Sequence, residues 1–276
     1  MGGARRTLAG GAARSLTVAQ VIEARNVGKT YGIDRAPVRA LDDISFAVAE
    51  GQFVSLVGPS GCGKSTLLQI LGGLIEHTEG EVFVDGTEVI APLPDKIAIV
   101  FQEATLLPWK TAAANIEFPL EINGVGRAER RARAQSLLDL VGLRDFAERF
   151  PHELSGGMRQ RVAIARGLVR DPRIVLMDEP FGALDEQTRT KMGQELLNIS
   201  QKTKKTIFFI THSLTEALYL SDVVLVMSAR PGRIIDTITV ELPRPRRFEM
   251  IGSAAFGQMR NRIWQQIAGD GPGIEG

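Results

Sequence analysis

The sequence predicts an α/β domain built around a phosphate-binding loop. A strand is predicted over the apolar run 53–57, a glycine-rich segment follows it, and a helix is predicted over 67–71. Further apolar runs at 97–101, 174–177, 206–210 and 223–227 have the length and composition of buried strands. From about 103 to 170 the pattern is helical, so the sequence predicts a helical insertion in a sheet domain.

The glycine-rich segment fits G-x-x-x-x-G-K-[ST] and reads Gly58, Pro59, Ser60, Gly61, Cys62, Gly63, Lys64, Ser65, Thr66. Three of its glycines, at 58, 61 and 63, allow backbone N–H groups to surround phosphate oxygens. Lys64 can reach the β- and γ-phosphates, and the hydroxyl of Ser65 can hold Mg²⁺. A glycine turn with a surface lysine is the alternative, but it leaves the flanking strand and helix unexplained.

The composition is that of a globular protein of one or two domains, with 276 residues, 44% of them hydrophobic and 24% charged. With a net charge of only +1, the chain has no overall positive potential that would attract nucleic acid or acidic lipid. The single cysteine, Cys62, permits no intramolecular disulfide, and a reducing compartment suffices. The chain shows neither an apolar run of membrane-spanning length nor the apolar core of a signal peptide.

Both ends of the chain have weak structural signals. Residues 1–20 contain arginines but no acidic residue, and we expect a disordered tail, with an organelle transit peptide as the alternative. A stiff basic linker is predicted over 242–247, followed by a helix to about Ile267 and a frayed tail over 269–276.

Polar residues follow several of the predicted buried strands. Asp178 can hold Mg²⁺ through water, and Glu179 beside it can polarise the attacking water. His212 can reach the γ-phosphate or hold that water. Gln102 can contact the metal or its water, or it is simply a strand-end glutamine. Tyr31, expected in a polar loop, can stack on adenine or remain an ordinary surface tyrosine.

A second anion site is predicted at a helix start after Leu154. Ser155 is a good N-cap, and Gly156 and Gly157 leave backbone N–H groups exposed behind it. A capped helix with no ligand is the alternative.

The segment 103–109 also allows two interpretations. Its Leu106, Leu107 and Trp109 either pack in the insertion or line a groove for a partner helix.

Taken in order, these motifs resemble those of the ATP-binding cassette family, and in particular importer ATPase subunits for nitrate, sulfonate and taurine. The resemblance covers about residues 21–245, and Ser155 precedes Asp178 by a family-like interval. Met158 in the signature and the Phe181-Gly182-Ala183 loop depart from the commoner forms but resemble variants of this branch. The resemblance implies a phosphate-loop NTPase core of mostly parallel sheet flanked by helices, an antiparallel β subdomain, and an inserted helical subdomain at about 103–170. Residues 246–276 would form a C-terminal helix and tail.

The resemblance also assigns roles and partners. ATP and Mg²⁺ are the implied ligands, with an adenine stack at Tyr31, the phosphate loop at Gly58 to Thr66 and metal ligands at Ser65, Gln102 and Asp178. Lys64, Gln102, Glu179 and His212 would be catalytic. Two ATPase chains, identical or paralogous, would pair head to tail, so that Ser155, Gly156, Gly157 and Asp185 of one chain close on nucleotide bound by the other.

The implied location is peripheral, on the cytoplasmic side of a bacterial inner membrane. Transmembrane permease subunits are the implied partners there, with a solute-binding protein as an indirect partner and no nucleic acid. A cassette ATPase acting on DNA or the ribosome is the main competing function, but the sequence has one cassette, no long heptad insertion and no basic stripe. A small-molecule kinase would leave the motif 154–158 unexplained.

Overall fold

The structure, a computed structural model, describes residues 19–32, 36–182 and 184–269, which form two sheets and a group of helices. The strands are β1 (Gln20–Tyr31), β2 (Val38–Ala49), β3 (Phe53–Val57), β4 (Glu79–Val84), β5 (Thr87–Glu88), β6 (Ile97–Val100), β7 (Ile174–Asp178), β8 (Thr206–Ile210), β9 (Val223–Met227) and β10 (Ile234–Thr239). The α-helices are α1 (Lys64–Leu71), α2 (Ala112–Ile122), α3 (Arg127–Leu140), α4 (Gly156–Leu168), α5 (Glu186–Thr203), α6 (Leu214–Leu220) and α7 (Ala254–Gly269).

The larger sheet has the strand order β10-β9-β3-β8-β7-β6. Its five strands from β9 to β6 are parallel, and β10 pairs antiparallel with β9. Every residue of β3 and β8 is buried, as expected for parallel strands covered on both faces. The predicted α/β class is therefore confirmed, and the carboxyl ends of the parallel strands meet at one edge.

The smaller sheet is antiparallel, with the order β2-β1-β4-β5. Tyr31 does not lie in a polar loop, as the sequence suggested; it is the last residue of β1 and pairs with Val38 of β2. The β1–β2 ladder continues through several bulges, which displace exposed residues and obscure the alternation that would identify a strand. Of the predicted tail, residues 1–18 lie outside the described residues, whereas Gln20 already belongs to β1.

Helices α2, α3 and α4 pack together as the inserted helical layer. Asn115 of α2 is fully buried and organises the loop before it, because its Oδ1 accepts from the Leu107 N–H at 2.8 Å. The side chain of Arg166 in α4 donates to the carbonyl oxygens of Ala104 and Thr105 at 3.0 and 2.9 Å. The segment after β6 is therefore tied to two helices of the insertion.

The C-terminal segment packs against the same core as the larger sheet. Arg246 is buried and donates to the Leu218 carbonyl at 2.8 Å, so the predicted basic linker is anchored to α6 at this residue. Phe256 and Ile263 of α7 are fully buried in the core cluster that contains Phe53 of β3. Residues 270–276 of the predicted frayed tail lie outside the described residues. Across the described part of the chain, the helices are too short or too polar to span a bilayer.

The burial of Phe256 predicts that α7 stabilises the whole domain. Phe256→Ala should lower the free energy of unfolding by about 3–5 kcal/mol, because it removes a fully buried ring and leaves a cavity. Urea unfolding followed by circular dichroism measures this change. Trp264→Ala is the matched control, since Trp264 lies on the same helix but is 63% exposed. An equal loss of stability in the two variants would contradict a core role for α7.

Candidate functional site

The phosphate loop connects β3 to α1, as predicted. At two of its glycines, neighbouring strands pack so closely that no side chain fits. Gly63 has φ +107° and caps α1, and a methyl group at this position would lie 2.7 Å from Leu41 Cδ2. Gly58 does not need a positive φ; a methyl group there would lie 2.7 Å from the Met227 carbonyl oxygen. The loop therefore passes too close to β2 and β9 for larger residues at these two points.

Lys64 is buried at the first position of α1, and the loop itself satisfies its ammonium group. Its Nζ donates to the carbonyl oxygens of Gly58 and Pro59, each at 2.9 Å. A positive charge is thus held inside the curve of the loop, beside the start of a helix whose N-terminal N–H groups add positive potential. This arrangement suits a phosphate group.

An open cleft of about 580 Å³ lies over the phosphate loop. Tyr31 borders it, 42% exposed, with its hydroxyl 3.4 Å from Thr66 Oγ1 and the Lys29 ammonium 5.0 Å from its ring centroid. An exposed aromatic ring beside a phosphate cradle suits an adenine base. The lining residues are Tyr31, Val38, Ala40, Ser60, Gly61, Gly63, Lys64, Ser65, Thr66, Glu179 and Arg230.

Asp178 is the last residue of β7 and lies beside the first turn of α1. Burial raises the pKa of its carboxyl group, the adjacent Glu179 charge adds to this rise, and a hydrogen bond with Ser65 and the charge of Lys64 oppose it. A carboxylate and a hydroxyl are thus paired next to the phosphate loop. Hard oxygen donors of this kind are the ligands that Mg²⁺ prefers.

Glu179 lies immediately after β7 with φ +42°, in the left-handed region that non-glycine residues seldom adopt. Its N–H donates to the Ile210 carbonyl oxygen at 3.0 Å, which keeps the backbone attached to the end of β8. Its carboxylate Oε2 lies 3.1 Å from Nδ1 of His212. Strained backbone of this kind concentrates at functional sites, and here it turns a carboxylate towards the cleft.

Gln102 follows β6 and lies near Glu179, although it does not line the cleft. A methyl group at Gly182 would lie 3.3 Å from Gln102 Nε2 and 3.9 Å from Glu179 Oε2. The two side chains therefore approach Gly182 closely. The structure brings Gln102, Glu179 and His212 together at the edge where β6, β7 and β8 end.

The predicted second anion site is not part of this cleft. Ser155 caps α4, and its Oγ accepts from the Met158 N–H at 3.3 Å, as the sequence suggested. Asp185 similarly caps α5 by accepting from the Thr188 N–H at 3.0 Å, a bond that lowers the pKa of its carboxyl group. Neither residue, nor Gly156 or Gly157, is among the described residues that line the cleft. Ala183 lies outside the described residues.

Cys62 lies in the phosphate loop but is buried. An exposed thiol there would favour the thiolate, but Cys62 is 1% exposed and packs in the core below the loop. Burial raises the pKa of this thiol, and the nearby Lys64 charge only partly opposes the rise. The side chain of Cys62 therefore supports the loop from beneath, and Cys62 is not among the described residues that line the cleft.

Arg230 is a cleft residue that the sequence did not single out. It follows β9 in the turn that leads to β10, and its Nε and Nη2 donate to the Gly61 carbonyl oxygen at 3.3 and 3.0 Å. The sequence around it, Ala-Arg-Pro-Gly, is typical of a solvent-exposed turn and gives no sign of a binding residue. Only the tertiary fold brings it to the phosphate loop.

The comparison with known protein families agrees with this geometry. A family model described as ABC transporter matches residues 41–182, which extend from β2 through the phosphate loop to Gly182. This chain belongs to the ABC transporter family. Within it the chain is an ATP-binding ATPase subunit.

Three relatives in this family are similar over most of the chain. The taurine import ATP-binding protein TauB of Rhizobium johnstonii is 50% identical over 233 residues, covering 82% of this chain and 88% of that protein. The aliphatic sulfonates import ATP-binding protein SsuB of Bacillus cereus is 41% identical, covering 89% and 95%. The nitrate import ATP-binding protein NrtC of Synechococcus elongatus is 44% identical, covering 81% of this chain but 34% of that protein.

A solved structure of the same class is also similar. The ATP-binding cassette MJ0796, in a dimeric post-hydrolysis state bound to ADP and Pi, superposes with a TM-score of 0.71 at 36% identity. The match covers 80% of this chain and all of that one. The resemblance read from the motifs is thereby confirmed for the family and for the fold.

The burial of Cys62 predicts slow reaction with thiol reagents. Maleimide should label the native protein at least about tenfold more slowly than an exposed thiol, because the group is both inaccessible and protonated. Mass spectrometry over a time course measures the rate. Ser60→Cys in a Cys62→Ser background supplies the matched exposed thiol, since Ser60 lies two residues away on the surface of the loop. Equal rates for the two thiols would contradict the buried position.

Proposed function

We propose that this chain hydrolyses ATP to energise an importer that takes up a small solute, such as taurine, an aliphatic sulfonate or nitrate, through separate membrane subunits. The observation that carries the catalytic part is the Glu179–His212 contact of 3.1 Å beside the Lys64 cleft. The importer class rests on the family and on the named relatives, which are import ATP-binding proteins.

The residues present fit both ATP and Mg²⁺. The phosphate loop would hold the phosphates through backbone N–H groups and the Lys64 ammonium, which binds the loop carbonyls of Gly58 and Pro59. The exposed ring of Tyr31 at the cleft edge would stack on adenine. Ser65 and Asp178 would hold Mg²⁺, with Gln102 close to the same sheet edge. Bound Mg²⁺ would neutralise charge that develops on the phosphates during transfer.

In the proposed mechanism Glu179 accepts a proton from the attacking water. The left-handed backbone at Glu179 turns its carboxylate to the cleft, and the His212 imidazole 3.1 Å away fixes its orientation. Lys64 stabilises negative charge on the phosphates. The side chain of Gln102 lies close to Gly182, as does that of Glu179, and it would contact the metal or its water there. Asp178 would bind the metal because its neighbours are Ser65 and Lys64 of the phosphate loop, whereas Glu179 would act as the base because its neighbour is His212.

The active unit is proposed to be a head-to-tail dimer, formed by two copies or with a paralogue. Ser155, Gly156, Gly157 and Asp185 do not line the cleft of their own chain, yet they combine helix caps and exposed backbone in the manner of an anion site. A second chain would bring these groups over the nucleotide. The similarity to a cassette that is dimeric in its solved structure supports this arrangement.

The permease contact is proposed at the segment 103–109. Trp109 is 71% exposed, which argues against the core-packing alternative for this residue, whereas Leu106 packs partly against the core. An exposed tryptophan beside the helical insertion suits an apolar anchor for a helix of a membrane subunit. The protein would then be peripheral, on the cytoplasmic side of the membrane, with a solute-binding protein on the other side and no nucleic acid partner.

Glu179→Gln tests the catalytic assignment. It should reduce kcat by at least about 100-fold while ATP still binds, because the amide keeps the size of the side chain but cannot accept the proton. The uncleaved nucleotide should then trap an ATP-bound dimer, which size-exclusion chromatography with light scattering detects. ADP should leave the variant monomeric.

Glu129→Gln is the control for Glu179→Gln, since Glu129 is an exposed residue of α3 paired with Arg133. It should hydrolyse ATP at the wild-type rate. Wild-type turnover in Glu179→Gln would remove the base assignment and make His212 the next candidate. A variant that binds ATP but stays monomeric would count against the shared site.

Trp109→Ala tests the permease contact. It should reduce the stimulation of ATPase by the reconstituted permease and the uptake of solute, while the isolated subunit keeps its basal ATPase, because an exposed ring contributes little to the core. Ile122→Ala, an exposed apolar residue at the end of α2, is the matched control. Loss of folding in Trp109→Ala, or equal coupling in both variants, would contradict the proposal.

A further inference from the structure

The turn between β9 and β10, residues 228–233, is held rigidly beside the phosphate loop. The Gly232 N–H donates to the Ala40 carbonyl oxygen at 2.9 Å, and the Asp42 N–H donates to the Gly232 carbonyl oxygen at 3.0 Å. Ser228 Oγ accepts from the Arg233 N–H at 2.9 Å and closes the turn. These bonds fix the turn to the start of β2.

The same turn also presses against the phosphate loop itself. A methyl group at Gly232 would lie 2.2 Å from the Cys62 carbonyl oxygen, so no larger residue fits at this crossing. The turn and the loop therefore form one packed unit. A side chain that projects from the turn has a fixed position relative to the phosphate-binding residues.

Arg230 projects from this unit into the cleft. Two of its guanidinium nitrogens bond to the single carbonyl oxygen of Gly61, and the side chain lines the cleft together with Lys64 and Thr66. Within the described ranges no carboxylate lies within 4.0 Å of its guanidinium, whereas Arg233 on the same turn is paired with Asp42. A guanidinium has five N–H donors, so several remain for a ligand.

We propose that Arg230 is a further nucleotide-binding residue, whose guanidinium binds the phosphates of ATP while it braces the loop at Gly61. The inference rests on the proposed function and adds a second cation to the phosphate site. Lys64 supplies positive charge from within the loop, and Arg230 supplies it from the neighbouring turn. Arginine suits this position because its planar donors can hold a carbonyl and a phosphate at the same time.

The experiment compares Arg230→Gln and Arg230→Lys with the wild type and with Arg233→Gln as the matched control. Arg233→Gln removes the same charge from the same turn, at a residue that is paired with Asp42 and does not line the cleft. A fluorescent ATP analogue with Mg²⁺ reports Kd at several salt concentrations, and differential scanning fluorimetry reports the Tm of each nucleotide-free variant.

Arg230→Gln should raise Kd about tenfold or more, as expected for the loss of a charge-assisted bond to phosphate. The salt dependence of Kd should become weaker, since one cationic contact is lost. Arg230→Lys should retain part of the affinity, Arg233→Gln should bind within about twofold of the wild type, and the Tm values should stay close together.

Two results would overturn the role of Arg230. One is an unchanged Kd in Arg230→Gln; the other is a weaker Kd with unchanged salt dependence and a lowered Tm, which would make Arg230 a structural brace only. Lys64→Ala separates this outcome from failure of the proposed function. If wild type and Lys64→Ala bind the analogue equally, the phosphate-loop assignment itself is wrong, and the role of Arg230 falls with it.

Discussion

The hydrogen-bond register between the parallel strands is the constraint on which the candidate site depends. It pairs Val100 with Met177, and it pairs Ile210 with both Asp178 and Leu56. Because β6, β7, β8 and β3 end nearly level, the residues that follow them emerge at one edge of the sheet. A slip of one residue would turn Asp178 to the opposite face. The apolar interior that stabilises the domain therefore also sets the distances within the site.

The positive charge of Lys64 and the negative charges of Asp178 and Glu179 lie close together at this edge of the sheet. A buried ammonium group is costly unless it is hydrogen-bonded, and Lys64 meets this requirement with carbonyl oxygens of its own loop. The shape of the loop and the position of the cation consequently depend on each other. At the end of β7, burial raises the pKa of Asp178, and the adjacent Glu179 charge adds to this rise. A divalent cation held there, as proposed, would favour the ionised form of Asp178 instead.

The sequence predicts the larger sheet well because each buried strand is an apolar run with polar ends; the runs 206–210 and 223–227 coincide with β8 and β9. It also places Asp178, Glu179 and His212 at the ends of buried strands, where the structure has them, since a polar residue after a buried strand is a local signal. It places Tyr31 in a loop rather than at the end of β1, because bulges remove the alternation. It gives no sign that Cys62 is buried, because that burial depends on distant chain segments. Arg230 gives no local signal at all, because its contact with Gly61 joins residues 169 positions apart.

Two residues of α4 bond to the segment after β6: Arg166 donates to the carbonyl oxygens of residues 104 and 105, and Gln160 donates to that of Phe101. Gly156, at the other end of the helix, lies about 15 Å from Arg166 at 1.5 Å per residue. Because these bonds join the segment to the helix at two points, a movement of the segment would carry α4 with it as one body. The backbone N–H groups that begin the helix at Gly156 would then move although the parallel strands of the sheet stay in place.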